Sequence, residues 1–464
     1  MQSTETAYTV GLTTLGCKVA QYETEAIAEE FARHGFRLCR FGDRCDVYVI
    51  NTCTVTAESD RKCRQVIRRA IQNNPRAQVL VCGCYAQTSP GEVGRIPGVT
   101  YVGGTAGKMK LAEAAERLLG SPPGAPVMAT ESLEGACFER MSIRKAPRTR
   151  AYIKIEDGCA CRCSYCAIPG ARGRVRSKAP EDVCAEVAAL AAGGCREVVL
   201  TGIEISSYGD DLHGPRLMDL LEMLDARPDS PRIRLGSLSP ECVRGDFVRR
   251  FAALRHAAPH LHLSMQSGSD RILHGMRRRY SVAEAESAFA ALRAAVPRIC
   301  FTTDMMVGFP GERDEDFADT VSFAERIGFL DMHVFAYSPR PGTPAADFPD
   351  PIPPPVKHAR SAALIGVRDR LRGACLEETC RNGAPIRVLV ERCRGKEASG
   401  HTDNFMEVRF CPPRGVQSGQ EIALRPLQVK NGCLLCTPCA GQEADPEARC
   451  SGSMIRRANP ERTR

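Results

Sequence analysis

Residues Gly158–Cys166 read GCACRCSYC, four cysteines within nine positions. Taken as Cys159, Cys163 and Cys166 they form CxxxCxxC and leave Cys161 over. Taken as Cys161 and Cys166 with a distant pair, they suggest zinc. Zinc sites of the finger or ribbon kind join two CxxC knuckles, and no second knuckle lies nearby. Thioredoxin-like redox chemistry calls for a single CxxC. Three cysteines on a loop can instead hold three irons of a 4Fe–4S cluster as thiolates, which leaves the fourth iron open. A second set stands apart. Cys17, Cys53 and Cys84 each follow an apolar run, TVGLTTL, DVYVIN and QVLVCG. Helical runs follow the first two, and alternating strands and helices make a parallel sheet that binds ligands outside the carboxyl ends of its strands. The three cysteines are therefore expected to meet at one edge.

Such thiols require a reducing surrounding. The chain of 464 residues holds 24 cysteines, a share well below the ~8–10% of a disulfide scaffold. No apolar run approaches the ~18 residues of a membrane span. MQSTETAYTV has no basic stretch leading into an apolar one, so it is no secretory signal. A cytoplasmic protein without a membrane partner is expected. The scattered Cys39, Cys184, Cys195, Cys242 and Cys300 fall in apolar patterns and read as small core residues. The formal charge of +8 is concentrated in RKCRQVIRR, RKAPRTR, ARGRVR and RRR. Singly each is a solvated face; together they favour a polyanion, of which nucleic acid is the commonest.

The elements that position these residues divide the chain. Residues 8–120 read as a parallel α/β domain, and 121–150, rich in Pro, Gly and charge, as a linker. Residues 151–380 carry the strands AYIKI, REVVLTG, RIRLGSL, LHLSM, ICFTTDMMVGF and DMHVFAY with helices between them. Six βα units make a partial barrel, smaller than the eight-stranded form. Residues 381–430 are short alternating stretches split by turn residues, a small all-β module. Residues 431–464, with GCLLCTPC (Cys433, Cys436, Cys439) and many arginines, read as a disordered tail.

CxxxCxxC with Tyr165 before its last cysteine resembles the radical S-adenosylmethionine superfamily. LGCKVAQYETEAIAE, VINTCTVTAESDRK and GCYAQ are similar to the N-terminal domain of its methylthiotransferases. KIEDGCACRCSYCAIPGARGRVRS, LTGIEISSYG, LHLSMQSGSDRIL, TDMMVGFPGE and FAYSPRPGTPAA are similar to their radical barrel, and GHTDNFMEVRF to a TRAM RNA-binding barrel. KVxQYET resembles the branch that acts on threonylcarbamoyladenosine in tRNA. The sequence departs from the family pattern at Ala20, Cys82, Ser239 and Ser269, none a proposed iron ligand.

The resemblance implies two 4Fe–4S clusters. Cys159, Cys163 and Cys166 would hold the one whose open iron binds S-adenosylmethionine and splits it to a 5′-deoxyadenosyl radical. Cys17, Cys53 and Cys84 would hold the one that carries sulfur. Tyr165, Thr201, Gly202, Glu204, Gln266, Gly308 and Gly311 would line the cofactor pocket. Two S-adenosylmethionine molecules per turnover, external sulfide from a sulfur donor, and a reducing electron donor such as flavodoxin or ferredoxin are implied. The implied substrate is the tRNA anticodon arm, modified at carbon 2 of adenosine 37. Rival readings are the same chemistry on isopentenyladenosine or a ribosomal protein, and a non-catalytic metal-cluster protein that binds RNA. Nine Lys/Arg against five acids in 381–430 favour RNA over a basic protein.

Overall fold

The computed structural model describes residues 7–146 and 149–439. Pro147 and Arg148 of the RKAPRTR run, and the tail from residue 440, lie outside the described residues.

The N-terminal sheet is built from β1 (Thr9–Thr14), β2 (Arg37–Cys39), β3 (Val47–Thr52), β4 (Gln78–Gly83), β5 (Tyr101–Gly103) and β6 (Val127–Ala129). Their spatial order is β2-β1-β3-β4-β5-β6, every pair parallel. β3 and β4 are buried at every position, as strands covered on both faces must be. Ile27 and Phe31 of the helix Lys18–Arg33, with Leu111 and Ala115 of Leu111–Leu118, cover one face. Cys63, Ile67 and Ala70 of the helix Ala57–Asn73 cover the other. The expected linker is not free of structure. It supplies β6 as an edge strand and sends Met141 and Ile143 into the core of the following domain.

That domain contains β7 (Arg150–Lys154), the short antiparallel pair β8 (Glu156–Asp157) and β9 (Arg176–Ser177), β10 (Glu197–Thr201), β11 (Arg232–Leu235), β12 (Ser237–Leu238), β13 (His260–Leu263), β14 (Cys300–Val307) and β15 (Asp331–Ala336). Two parallel sheets run β11-β10-β7 and β12-β13-β14-β15. β11 and β12 are one run broken at Gly236, where a Cβ would stand 3.0 Å from the Leu200 carbonyl oxygen. Six strands thus form the expected partial barrel, with β7 and β15 as its unpaired edges. The helix Lys18–Arg33 packs on β7, and its Tyr22 and Ala26 join the barrel core. The Tyr22 hydroxyl donates to the Met141 carbonyl at 2.7 Å. An element of the first domain therefore walls the second.

A long helix, Pro354–Asn382, leads into a closed barrel of β16 (Ile386–Arg394), β17 (Glu397–Thr402), β18 (Glu407–Phe410), β19 (Glu421–Lys430) and β20 (Cys433–Pro438). β20 corrects the boundary at 430. GCLLCTPC begins no disordered tail; its Cys433, Leu434 and Cys436 are buried and the strand pairs with β18 and β19. Asn431 and Gly432, both at positive φ, make the two-residue turn between β19 and β20, the geometry Asn-Gly favours in hairpins.

This module docks on the amino-terminal rim of the larger barrel. Glu197, buried at the start of β10, accepts from Arg234 Nε at 2.8 Å and Arg232 Nη1 at 3.0 Å and forms an ion pair with Arg150, whose Nε stands 2.7 Å away. Arg150 also pairs with Glu391 and Arg232 with Glu421, both of the module. The Phe405 ring stacks on His260 at 4.7 Å and lies 5.0 Å from the Arg234 guanidinium.

Candidate active site

β1, β3 and β4 are adjacent and parallel, so their carboxyl ends share one edge. Cys17 caps the helix Lys18–Arg33, Cys53 directly follows β3, and Cys84 opens the short helix Cys84–Thr88 after β4. Gly16, at φ +149°, permits the approach of the first two; a Cβ there would lie 3.3 Å from Cys53 Cβ. Gly83, at φ +96°, has no room for a side chain, since a Cβ would stand 2.5 Å from the Thr52 carbonyl oxygen. Burial pushes the Cys17 thiol up, against the lowering effect of Arg172, and the same burial pushes Cys53 up to about 12. Cys17 is nonetheless exposed.

The CxxxCxxC loop is closed at its base by the Cys159 N–H, which donates to the Gly173 carbonyl at 3.1 Å. Gly158 precedes it at φ +90°, where a Cβ would fall 1.9 Å from the Arg174 carbonyl oxygen. Ser164 pins the loop: its N–H donates to the Met276 carbonyl at 3.1 Å and its hydroxyl to the Gly275 carbonyl at 2.7 Å. Cys163 is buried, with Arg278 Nη1 at 3.5 Å from its sulfur. Arg278 is held by the Ser264 carbonyl at 2.9 Å and Tyr280 Oη at 3.0 Å. RRR thus turns one arginine inward instead of presenting a solvated face. Cys161, the cysteine left over, is pulled down to about 7 by a hydrogen bond with Cys159.

Between the two cysteine sets lies a buried group of charges that sequence reasoning missed. Glu23 accepts from Arg172 Nη1 at 2.6 Å and Lys154 Nζ at 3.0 Å, and also pairs with Lys108. Asp157 accepts from Lys154 Nζ at 3.0 Å and Arg172 Nη1 at 3.2 Å, with Arg176 at 3.5 Å. Arg172 Nε stands 3.2 Å from Cys84 Sγ. Burial would raise the Glu23 carboxyl, but Arg172, Lys108 and Lys154 hold it well below the usual carboxylate range.

A cavity of about 1470 Å³ opens between the domains. Cys159, Cys163 and Cys166 line it from the barrel, and Asp60, Arg64 and Gln87 from the N-terminal domain. Cys17, Cys53 and Cys84 are not among its lining residues.

The other expected pocket residues fall in different surroundings. Thr201 ends β10, buried, and Gly202 follows where a Cβ would meet Glu156 Oε2 at 2.6 Å. Glu204 accepts from its own turn, from the Ser206 N–H at 3.3 Å. Glu156, just before the cysteine loop, accepts from the Glu204 N–H at 2.8 Å through one oxygen. Its other oxygen is buried with no partner. Gln266 has φ +71° and a buried Oε1 that is likewise without a partner. Tyr165 packs beside Ile272, Met276 and Phe309. Gly308 and Gly311, both at positive φ, shape the turn after β14, and Lys357 covers Gly308 so closely that a Cβ would meet its Cγ at 2.4 Å. Backbone conformation and packing both call for glycine at this position.

Comparison with known proteins decides the family. The Radical SAM superfamily matches residues 153–324, and Uncharacterized protein family UPF0004 matches residues 9–104. The threonylcarbamoyladenosine tRNA methylthiotransferase MtaB of Bacillus subtilis (strain 168) is 39% identical over 87% of this chain and 90% of its own length. The protein of the same name from Thermotoga maritima is 39% identical over 77% of this chain and 81% of its own. The chain belongs to the radical S-adenosylmethionine tRNA methylthiotransferases. Within this family the tRNA-2-methylthio-N(6)-dimethylallyladenosine synthase of Nitratidesulfovibrio vulgaris (strain ATCC 29579) is 34% identical over 82% of this chain and 86% of its own. Among solved structures, the radical S-adenosylmethionine methyltransferase TsrM from Kitasatospora setae shares the fold at TM-score 0.53 and 19% identity, over 73% of this chain and 77% of its own.

Methylthiotransferases of this family work with S-adenosylmethionine and 4Fe–4S clusters, and the residues present fit both. The loop offers three thiols around a cavity, with the Arg278 cation beside one. The buried Gln266 Oε1 lacks a partner and can accept from a bound amine or hydroxyl, and Glu156, whose carboxyl burial pushes well up, has a second partnerless oxygen that can bond a polar group of the cofactor. At the other set, four cations (Lys108, Lys154, Arg172, Arg176) meet two carboxylates next to Cys84. The surplus of positive charge suits an anionic thiolate ligand. Among the described residues no three His, Cys, Asp or Glu groups are drawn together for a single metal ion; a four-iron cluster is a larger body whose ligands stand farther apart.

Proposed function

We propose that this chain places a methylthio group on carbon 2 of N6-threonylcarbamoyladenosine at position 37 of tRNA, beside the anticodon. The observation that carries this reading is a set of five relatives bearing that substrate in their names, 32–39% identical over 77–90% of this chain. The dimethylallyladenosine synthases stand at 33–34%.

A local feature supports the branch. Lys18, next to Cys17 in KVxQYET, has Arg150, Arg234 and Asp304 as charged neighbours and makes no hydrogen bond or ion pair among the described residues. Burial, with Arg234 and Arg150, pulls its ammonium down and Asp304 offsets this in part, so a bound anion would stabilise its charge; the threonylcarbamoyl group ends in a carboxylate, whereas a dimethylallyl group offers no charge.

When bound, the two clusters and S-adenosylmethionine supply a carbon-centred radical and a sulfur, chemistry that no side-chain base can perform on an adenine C–H. The chain's residues hold and shield these groups. Cys159, Cys163 and Cys166 hold the first cluster, and Cys17, Cys53 and Cys84 the sulfur-carrying one. Gln266 accepts a hydrogen bond from the cofactor, and Glu156 bonds one of its polar groups. Arg64, Arg162, Arg174 and Arg277, which line the cavity, receive the phosphates around a base drawn out of its stack. The C-terminal barrel, a TRAM module with its excess of basic residues, adds affinity for the anticodon arm. A flavodoxin or ferredoxin supplies electrons, and a separate donor supplies sulfide, in the cytoplasm. Mass spectrometry of tRNA nucleosides from cells lacking and regaining the gene tests the reading. Loss and return of 2-methylthio-N6-threonylcarbamoyladenosine is expected; loss of the dimethylallyl product instead would move the protein to the other branch.

A further inference from the structure

Arg172 is the side chain through which the two cysteine sets touch. Its Nε stands 3.2 Å from Cys84 Sγ, and its Nη1 donates to Glu23 at 2.6 Å and to Asp157 at 3.2 Å. The residue is 1% exposed. Asp157 lies two positions before Cys159, and Gly173, directly after Arg172, receives the hydrogen bond that closes the cysteine loop at 3.1 Å. One guanidinium is therefore fixed to the base of the radical loop on one side and to a sulfur of the other set on the opposite side.

A buried cation is expensive unless anions meet it. Here Lys108, Lys154 and Arg176 already crowd the same two carboxylates, Glu23 and Asp157, while Glu139, the next acid, accepts the Met109 N–H and is pushed up by burial. A hydrophobic side chain would fill this position at less electrostatic cost if the site were only a seam. The surplus is explained when the sulfur is an anion. A hydrogen bond from a cation to a thiolate withdraws electron density from it, and hydrogen bonds to sulfur and net charge are the levers that set the potential of an iron–sulfur centre.

We propose that Arg172 is a positioning residue for the sulfur-carrying cluster, holding Cys84 by a charged hydrogen bond that raises the cluster's reduction potential and ties its ligand to the radical loop. This rests on the assignment of Cys84 as a ligand. Glu23 modulates the effect with opposite sign, because removing its charge leaves the guanidinium less neutralised.

The test uses the full chain with Cys159, Cys163 and Cys166 replaced by Ala, so that only the sulfur-carrying cluster contributes, reconstituted with iron and sulfide. Redox titration followed by electron paramagnetic resonance reads its potential and spectrum. Arg172→Gln is expected to shift the potential to more negative values and to alter the spectrum, Arg172→Lys to recover most of the shift, and Glu23→Gln to move it to more positive values. Should Arg172→Gln fail to bind iron, Arg172→Lys is expected to show a small negative shift and Glu23→Gln a positive one, and the reverse sign in either overturns the proposal. An unaltered potential and spectrum in iron-loaded Arg172→Gln, or shifts of one sign in all three variants, overturns the proposal. Cys84→Ala separates the two assumptions: if it leaves the cluster's spectrum and iron content unchanged, the ligand assignment is what fails.

Discussion

Arg340, in the turn after β15, donates to Asp60 Oδ2 at 2.7 Å and to Thr54 Oγ1 at 2.6 Å, joining the end of the radical barrel to the helix that follows Cys53. All three residues are buried, and Asp60 and Arg340 line the cavity that holds the CxxxCxxC cysteines. Removing one partner of a buried pair costs roughly 3–5 kcal/mol when the other stays buried. Arg340→Met is therefore expected to open this seam. Hydrogen exchange of residues 54–64 should rise while exchange in β16–β20 stays as it was; unchanged exchange at 54–64 would contradict the clamp.

Each chain is expected to hold two clusters, about eight irons after anaerobic reconstitution. Replacing Cys159, Cys163 and Cys166 with Ala should halve the iron, as should replacing Cys17, Cys53 and Cys84. Full iron in either triple variant would mean that the ligands are wrongly chosen.

The strand β20 makes the GCLLCTPC segment structural. Leu434 is fully buried in the small barrel, and truncating a core leucine to Ala costs about 2–5 kcal/mol. Ending the chain after Lys430 should unfold that barrel, weaken tRNA binding and leave the iron content intact. Circular dichroism and filter binding check this; native tRNA affinity in the truncated chain would show that β20 is dispensable.

Glu197 links pH to the docking of the TRAM module. Burial alone would raise its carboxyl, but Arg234 and Arg150 hold it at about 2, below its ordinary 4.5. A depressed carboxyl stabilises the folded state above its unfolded value and loses that contribution as pH falls toward the folded one. The window is therefore about pH 4.5 down to about 2, and the loss is of the order of 3 kcal/mol at its acid end. Thermal unfolding across that range should fall more steeply in wild type than in Glu197→Gln, which starts less stable. Parallel curves would contradict the assignment.

Much of this was legible because the deciding residues stand at the ends of apolar runs. Cys53 and Cys84 directly follow strands buried at every position, and such runs announce themselves by composition. The charged residues were not legible. Arg172 and Arg278 belong to basic runs that read as solvated faces, and only partners far along the chain reveal otherwise: Glu23 is 149 positions from Arg172. The strand β20 was readable in principle, since Asn431–Gly432 stands between two alternating stretches. Its cysteines suggested ligands and hid the fact that Cys433 and Cys436 are small apolar residues facing a core. The edge strand β6, only three residues long, carries too short a pattern to be seen.

The division of labour between the two cysteine sets is tested most directly by one assay. Reconstituted protein, S-adenosylmethionine, a reductant, sulfide and an anticodon stem-loop bearing N6-threonylcarbamoyladenosine are combined, and both 5′-deoxyadenosine and the RNA nucleosides are read by mass spectrometry. Wild type should give the 2-methylthio nucleoside. The Cys17, Cys53 and Cys84 triple Ala variant should still form 5′-deoxyadenosine without inserting sulfur, and the Cys159, Cys163 and Cys166 triple Ala variant should form neither. Sulfur insertion by the first variant, or 5′-deoxyadenosine from the second, would contradict the account.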